Sequence, residues 1–565
     1  MPDSKRRDEP RLATLAALLP LGLLIVLAVA RPPEIAPWSR CACQGLAALA
    51  IGLVACRSER GESLLPVWLT CLLPLALLSI LFAACRARAI DEAADALALL
   101  FAGLAARGQA RRPHASTILA ALLLTLGSAA ACRAVVQHHL LYPAAAAALR
   151  SSGSPGTDAA LARLLDGRPS GPFILPAALG GFLALSLPLA LAWALRPGRA
   201  IVRTAAAGAA LVEAYALLLT RSLGALAALA LGLLIALPLL APRRKGRAIA
   251  LGAAVLLATA ALFLHQRRSE IEGAAGGHPL ALRAGNWGVA LRLGADHPLF
   301  GVGPGSFGTY YPRYRQEGMN ETQHAHNLYL EAAACWGAWV LLPLGALLLL
   351  VARAVRRAAA DPGERLAILA GGASFLAHNL VDFTAYLPGV AIPAAILLGL
   401  GLAGREGEAM SHGTAPRRWP LLRPALVLLL GTGLLWSGII AARARSLYDA
   451  AREAATTGEI ERAAALARLG ARARPDDPLA QAFLSELILT HGLPDPGLRA
   501  EGERAARRAL ALDPEAAILH HDRALYHQAA GEPAAAYREE YLAHRLNPLK
   551  DLYRPLVEKP PEPAR

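Results

Sequence analysis

Long runs of Leu, Ala, Val and Ile recur along this chain, separated by short polar connections, and the pattern predicts helices that cross a membrane. A helix spans a bilayer with about 17 to 25 apolar residues. Stretches of that kind fall near 12–30, 41–56, 64–85, 115–134, 172–196, 201–219, 222–241, 247–264, 337–353, 365–385, 389–404 and 421–442. A weaker thirteenth lies near 92–106. The expected fold class is therefore all-α: a polytopic membrane protein with about 12–13 transmembrane helices, a large exterior loop and a helical tail. From about residue 443 the continuous runs give way to Ala-rich amphipathic helices with many Arg and Glu. There "RPDDP", "LDP" and "LNP" place prolines at 478, 514 and 548, spacings of 36 and 34 residues. That is close to the 34-residue period of helix-pair solenoids, so the tail resembles tetratricopeptide-type repeats, an interaction surface more than a catalytic unit. The expected division is 1–264 for the N-terminal transmembrane helices, 265–336 for the large loop, 337–442 for the C-terminal transmembrane helices and 443–565 for the repeats.

Composition agrees with the pattern and adds orientation. The 565 residues are 55% hydrophobic and only 18% charged, beyond the apolar content of a soluble domain. The formal charge of +15 does not point to nucleic acid, because the arginines are dispersed between spans with no basic stripe and no interleaved aromatics. It serves topology instead. The connections "RSERGES" (57–63), "RGQARR" (107–112), "RPGRAIVR" (196–203), "PRRKGR" (242–247) and "RAVRRAAADPGER" (353–365) belong on the cytoplasmic side by the positive-inside rule. All five share one side only when 92–106 also crosses. The N-terminus is then inside, and the loops 135–171, 265–336 and 383–388, with the tail, are outside. The first span lacks a small-residue cleavage site after its apolar core and is expected to be retained. Seven cysteines at 41, 43, 56, 71, 85, 132 and 335 show no C-x-x-C pairing and are expected to be small buried hydrophobes.

Chemistry concentrates in the 265–336 loop, which contains "ALRAGNWGVALRLGADHPLFGVGPGSFGTYYPRYRQEGMNETQHAHNLYLE". Its first half can form a helix with Arg283 and Trp287 four apart on one face. Gly301, Gly303 and Gly305 do not make a nucleotide loop, since the spacing is not G-x-G-x-x-G and no strand precedes them. In order, Arg283, Trp287, "HPLFGVGPGSF" and "HAHNLYLEAAACWG" resemble the O-antigen ligase and polymerase family of bacterial integral-membrane glycosyltransferases. The likeness extends to "SGPFILPAALGGFLALSLPLALAW" (170–193), "LLLTRSLGALAALALGLL" (217–234) and "HNLVDFTAYLP" (378–388), about 250 of the 565 residues. Family members carry T-x-S-R-G where this chain reads Thr220, Arg221, Ser222, Leu223, Gly224. The arginine stands two positions early, a rotation of about 200° on a helix; equivalence requires an unwound helix end or a snorkelling side chain.

An exterior loop cannot draw on cytoplasmic nucleotide sugars, and the resemblance implies an undecaprenyl-pyrophosphate-linked glycan as donor, used at the bacterial inner membrane with the active loop and tail periplasmic. The leaving pyrophosphate calls for guanidinium donors, for which Arg283 and Arg221 are the candidates. The acceptor hydroxyl must lose a proton, a task suited to a neutral imidazole. His326 is the first choice and His324 the second, as an acceptor-binding or orienting partner. Trp287, Tyr310 and Tyr311 are candidate substrate-binding residues, the tyrosines equally explicable as an interfacial aromatic belt. His297 is expected to stabilise a turn, and Asp382, with His378 and Asn379, to give structural support. No metal is expected, because two histidines at i and i+2 diverge on a helix and no D-x-D pair accompanies them; no cofactor is expected either. A Ser-His-Asp hydrolase is disfavoured by the lack of a G-x-S-x-G elbow.

The same donor chemistry serves a ligase acting on a lipid A core sugar, a polymerase acting on another lipid-linked repeat, and a protein O-glycosylase acting on Ser or Thr. The expected partners are thus the lipid-linked glycan, one of these acceptors, membrane lipids and a protein bound by the repeats. A membrane anion transporter is the alternative of a different class. It would place ionisable groups at broken helices near the midplane, whereas here they gather in one loop. A tethered scaffold would leave the histidine motif unexplained.

Overall fold

The computed structural model describes residues 3–55, 64–112, 114–152, 158–240, 279–358, 364–403, 422–492 and 495–553. The span expected at 247–264 and the connections at 57–63 and 242–247 lie outside these residues. Among the described residues there is no strand, and seven helices are long and apolar enough to cross a membrane: Ala13–Ala30, Pro37–Ala55, Ala115–Ser152, Pro176–Leu195, Ala200–Thr220, Ala338–Ala358 and Ala425–Thr456. Shorter apolar helices cover Leu72–Leu81, Leu223–Leu234 and Pro388–Leu402. The protein is an all-α polytopic membrane protein. The expected crossing near 92–106 lies within the Arg86–Gln109 helix, whose first turns carry Asp91, Glu92 and Asp95 and which is not among the seven.

The chain forms two compact units. The first comprises Met1–Gly61, Ala96–Gly273 and Leu344–Leu435. Its centre is the Pro176–Leu195 helix, apolar on every side and buried without interruption from Ala178 to Ala190, as a helix must be when other helices surround it. Ala115–Val136, Ala200–Thr220, Leu223–Leu240 and Glu364–His378 pack around it. Lipid offers helices no hydrophobic drive to associate, so close backbone approach at small residues does that work. At Gly399 a Cβ would collide with the carbonyl of Gly103. One carboxyl is sealed inside: Glu213, at 0% exposure, accepts bonds from the hydroxyls of Ser186 (2.7 Å) and Ser128 (3.2 Å). Burial of such a group is tolerated only with donors of this kind.

The second unit comprises Glu62–Asp95, Ala274–Pro343 and Trp436–Arg565. Three helices, Pro279–Asp296, Phe307–Tyr314 and Leu328–Trp336, build the loop region around a core that includes Val289, Leu293, Phe307, Tyr311 and Cys335. The tail is a series of antiparallel helices, Ile460–Ala473, Pro478–His491, Pro496–Leu512, Ala517–Ala529 and Pro533–Leu546. Proline at the first position starts three of them, with Asp477 and Asp495 capping two by accepting backbone N–H bonds, an arrangement that satisfies donors a helix start leaves open.

Candidate functional site

The loop region takes its shape from glycine. Gly301 and Gly303 have φ of 65° and 97°, the left-handed side that side chains avoid. Their backbones run against the end of the Leu328–Trp336 helix, Val302 N–H donating to Ala334 O (3.0 Å) and Gly303 N–H to Cys335 O (2.9 Å). A Cβ on Gly301 would strike the Cys335 carbonyl, and one on Gly303 would strike Ala83. The glycines thus allow backbone to meet backbone. His297 closes the preceding turn through its carbonyl, which accepts from Gly301 N–H (3.1 Å), while its ring meets Tyr310 edge-on.

The histidines occupy the irregular segment that leads into the Leu328–Trp336 helix. Asn327, extended at φ −157°, accepts from the N–H groups of Tyr329 (3.0 Å) and Leu330 (3.1 Å) and so caps the helix start. Immediately before it His326 has φ 55°. A left-handed conformation at a residue with a Cβ costs about 1–2 kcal/mol and persists only where the surroundings enforce it. Here they do so from two directions. Trp287 Nε1 donates to the His326 carbonyl (3.2 Å). Glu331, only 3% exposed, reaches back with both oxygens: Oε1 lies 2.8 Å from His324 Nδ1, and Oε2 accepts from Ala325 N–H at 2.7 Å. A buried carboxylate thereby holds the two residues ahead of His326 and orients the His324 ring. Glu92 stands within electrostatic range of both Glu331 and His324.

The structure therefore brings together His324, His326 and Trp287, with Arg283 one turn before Trp287 on the Pro279–Asp296 helix. Glu331 was not singled out by the sequence, although it lies in the motif seven residues after His324. Its signal was an acid placed to face backwards from the first turn of a capped helix.

Tyr310 and Tyr311 lie inside the loop region. Tyr311 is 0% exposed and its hydroxyl donates to Asn286 Oδ1 (2.7 Å). Tyr310 is 7% exposed, with the Arg313 guanidinium 4.8 Å from its ring centre. Both rings belong to the packed core of the loop. Burial also raises both phenols above their usual range. Cys335, raised well above the usual thiol range by burial, is likewise a packing residue, and of the other described cysteines Cys41, Cys43 and Cys85 are buried while Cys132 is exposed.

Arg221 belongs to the first unit. The Ala200–Thr220 helix stops before it, Arg221 adopts φ 49°, and the next helix starts at Leu223. The unwound helix end that equivalence with the shifted motif required is present. Its half-exposed guanidinium lies 3.4 Å from Asp166 Oδ1, and Arg168 Nε donates to the Thr220 carbonyl (2.9 Å). Among the described non-glycine residues with positive φ are His114, Arg221 and His326, so two of the three are residues the sequence marked for chemistry. In the same unit His378, Asn379, Asp382 and Thr384 are all buried, with Asn379 Nδ2 donating to Thr384 Oγ1 (3.1 Å), His378 Nδ1 3.3 Å from the same hydroxyl and His378 Nε2 3.8 Å from Asp382 Oδ2.

A family model described as O-antigen ligase matches residues 206–345, a stretch that contains every one of the candidate residues from Arg221 to His326. No curated protein matches the chain.

Proposed function

We propose, from the match of residues 206–345 to a family model described as O-antigen ligase, that this is a glycosyltransferase that moves a glycan from undecaprenyl pyrophosphate to an acceptor hydroxyl at the periplasmic face of the inner membrane. The observation that carries this reading is the loop held by Glu331, in which His326 stands at a strained backbone position with its carbonyl bonded by Trp287, on the helix that also bears Arg283. In the reaction the acceptor oxygen bonds to the anomeric carbon, the bond from that carbon to the pyrophosphate oxygen breaks, and the acceptor proton passes to His326. His324, held by Glu331, lines the acceptor side. The charge that grows on the departing pyrophosphate is met by Arg283, whose planar fork suits phosphate oxygens; Arg221 remains a second candidate for the same task. Displacement with no enzyme nucleophile inverts the anomeric centre. The reaction as written involves only these side chains.

The test is reconstitution in liposomes with an undecaprenyl-pyrophosphate-linked glycan and three acceptors offered separately: lipid A core, a second lipid-linked repeat, and a Ser/Thr peptide. Glycan joined to lipid A core is the expected product, and product on either other acceptor reassigns the acceptor within the same chemistry. No transfer to any acceptor, together with anion flux through the liposomes, overturns the reading in favour of a transporter. In this assay Arg283→Lys is expected to lower kcat/KM for the donor about tenfold or more, because an ammonium loses the two-pronged geometry. Unchanged donor kinetics would remove Arg283 from the pyrophosphate.

A further inference from the structure

Three helices of the tail end in one way. Ile460–Ala473, Pro496–Leu512 and Pro533–Leu546 are each followed by a residue of nearly identical backbone conformation: Arg474 (φ −141°, ψ 83°), Asp513 (φ −143°, ψ 74°) and Asn547 (φ −144°, ψ 77°). Each precedes a proline, which explains the extended conformation, and each backbone N–H closes on the carbonyl four residues earlier. Nothing in such a turn requires the side chain to be buried. Yet Arg474, Asp513 and Asn547 are 5%, 2% and 4% exposed, and the main bonds of all three leave the tail.

Each meets a complementary group. Arg474 grips Asp91 with two bonds of 2.8 Å and adds a third to the Ala87 carbonyl (3.1 Å). Asp513 pairs with Arg88 (2.8 Å), whose other nitrogen donates to Thr309 Oγ1 (2.6 Å) in the helix after the glycine turn. Asn547 accepts from Arg315 Nη2 (3.1 Å) and donates to Glu321 Oε1 (3.1 Å), while Arg315 and Glu321 pair with each other at 3.3 Å. Arg313 and Glu515 form one more ion pair between the same two regions. The three turns are thus geometrically equivalent and chemically different, a cation, an anion and an amide, each matched to its own target. Asn547 closes residues 315–321 into a ring whose far end lies three residues before His324. Residues 315–327 contain no helix of their own, and holding such a segment in one conformation opposes its conformational entropy.

We propose that the tail is a clamp on the histidine loop, with Asn547 and Asp513 as positioning residues for the transfer reaction; this rests on the function proposed above. Asn547 bonds the loop itself and Asp513 reaches it through Arg88 and Thr309, while Arg474 ties the tail to Ala87 and Asp91 beside Arg88, so the tail works within the chain at these positions.

The test compares the full-length reconstituted protein with its Asn547→Ala and Asp513→Ala/Asn547→Ala variants, by amide hydrogen exchange of residues 315–327 and by transfer kinetics. Exchange reads the clamp whether or not the protein transfers glycan: an increase of about tenfold or more in either variant is expected, and unchanged exchange overturns the clamp. Where the wild type transfers glycan, kcat is expected to fall about tenfold with the donor KM within twofold. Faster exchange with unchanged kcat overturns the positioning role. Asn547→Gln, which keeps the amide, is expected to recover part of both signals; no recovery, with a loss equal to that of alanine throughout, contradicts the bonding to Arg315 and Glu321. If the double variant fails to fold, the single variant decides. A wild type without transfer removes the function reading and leaves the exchange result to judge the clamp.

Discussion

His326→Ala is expected to abolish measurable glycan transfer, a loss of about 10² to 10⁴ in rate if the imidazole is the base that takes the acceptor proton, while protein abundance stays unchanged. The backbone allows a sharper form of this experiment. His326 is held at φ 55°, and the left-handed region costs a residue with a Cβ about 1–2 kcal/mol that glycine does not incur. His326→Gly should therefore be at least as stable as the wild type and inactive. A residue present only to start the helix would behave in the opposite way, since relieving its strain would leave transfer intact. Reconstituted turnover and a thermal melt in detergent separate the two cases, and transfer by His326→Gly at the wild-type rate would remove the base assignment.

Glu331→Ala should lose nearly as much without touching the reacting atoms. The carboxylate accepts from Ala325 N–H and bonds the His324 ring from a position 3% exposed. Its removal leaves a buried N–H without its acceptor and an imidazole without its orienting group, about 2 kcal/mol for the pair of losses, or about thirtyfold in the population of the ordered loop. The expected result is a kcat lowered about thirtyfold or more. Glu331→Gln keeps an amide oxygen for the Ala325 N–H and should recover part of the activity. Equal kcat in wild type and Glu331→Ala would show that the carboxylate has no part in placing the histidines.

Much of this was legible because it is local. Apolar runs mark the spans, the four-residue spacing of Arg283 and Trp287 marks a helix face, and Asn327 ahead of "LYLE" is a helix cap; each depends on neighbours within a turn or two. The parts that escaped depend on chain reversal or on long separation. Glu331 meets His324 only because His326 turns left-handed, and no residue type announces that conformation at a histidine. Arg221 likewise ends its helix in a conformation that side-chain spacing on a continuous helix cannot express. Tyr310 and Tyr311 have the composition of an interfacial belt, but the short Phe307–Tyr314 helix turns them inward onto Asn286 and Arg313. The hydrogen bonds of Asn547 and Asp513 join residues 226 to 425 positions apart, and repeat periodicity shows where such turns occur but not which way they face.

The scheme depends most of all on the loop lying outside the cytoplasm, where a lipid-linked donor is presented. Glu317 is exposed within that loop, and Arg357 is exposed in a connection assigned to the cytoplasm. Single cysteines at these positions, Glu317→Cys and Arg357→Cys, in a background with all seven native cysteines replaced by serine, can be challenged with a membrane-impermeant maleimide on intact spheroplasts and again after lysis. Labelling of Glu317→Cys before lysis and of Arg357→Cys only after it is the predicted result. Labelling of Glu317→Cys only after lysis would put His326 in the cytosol and contradict the account.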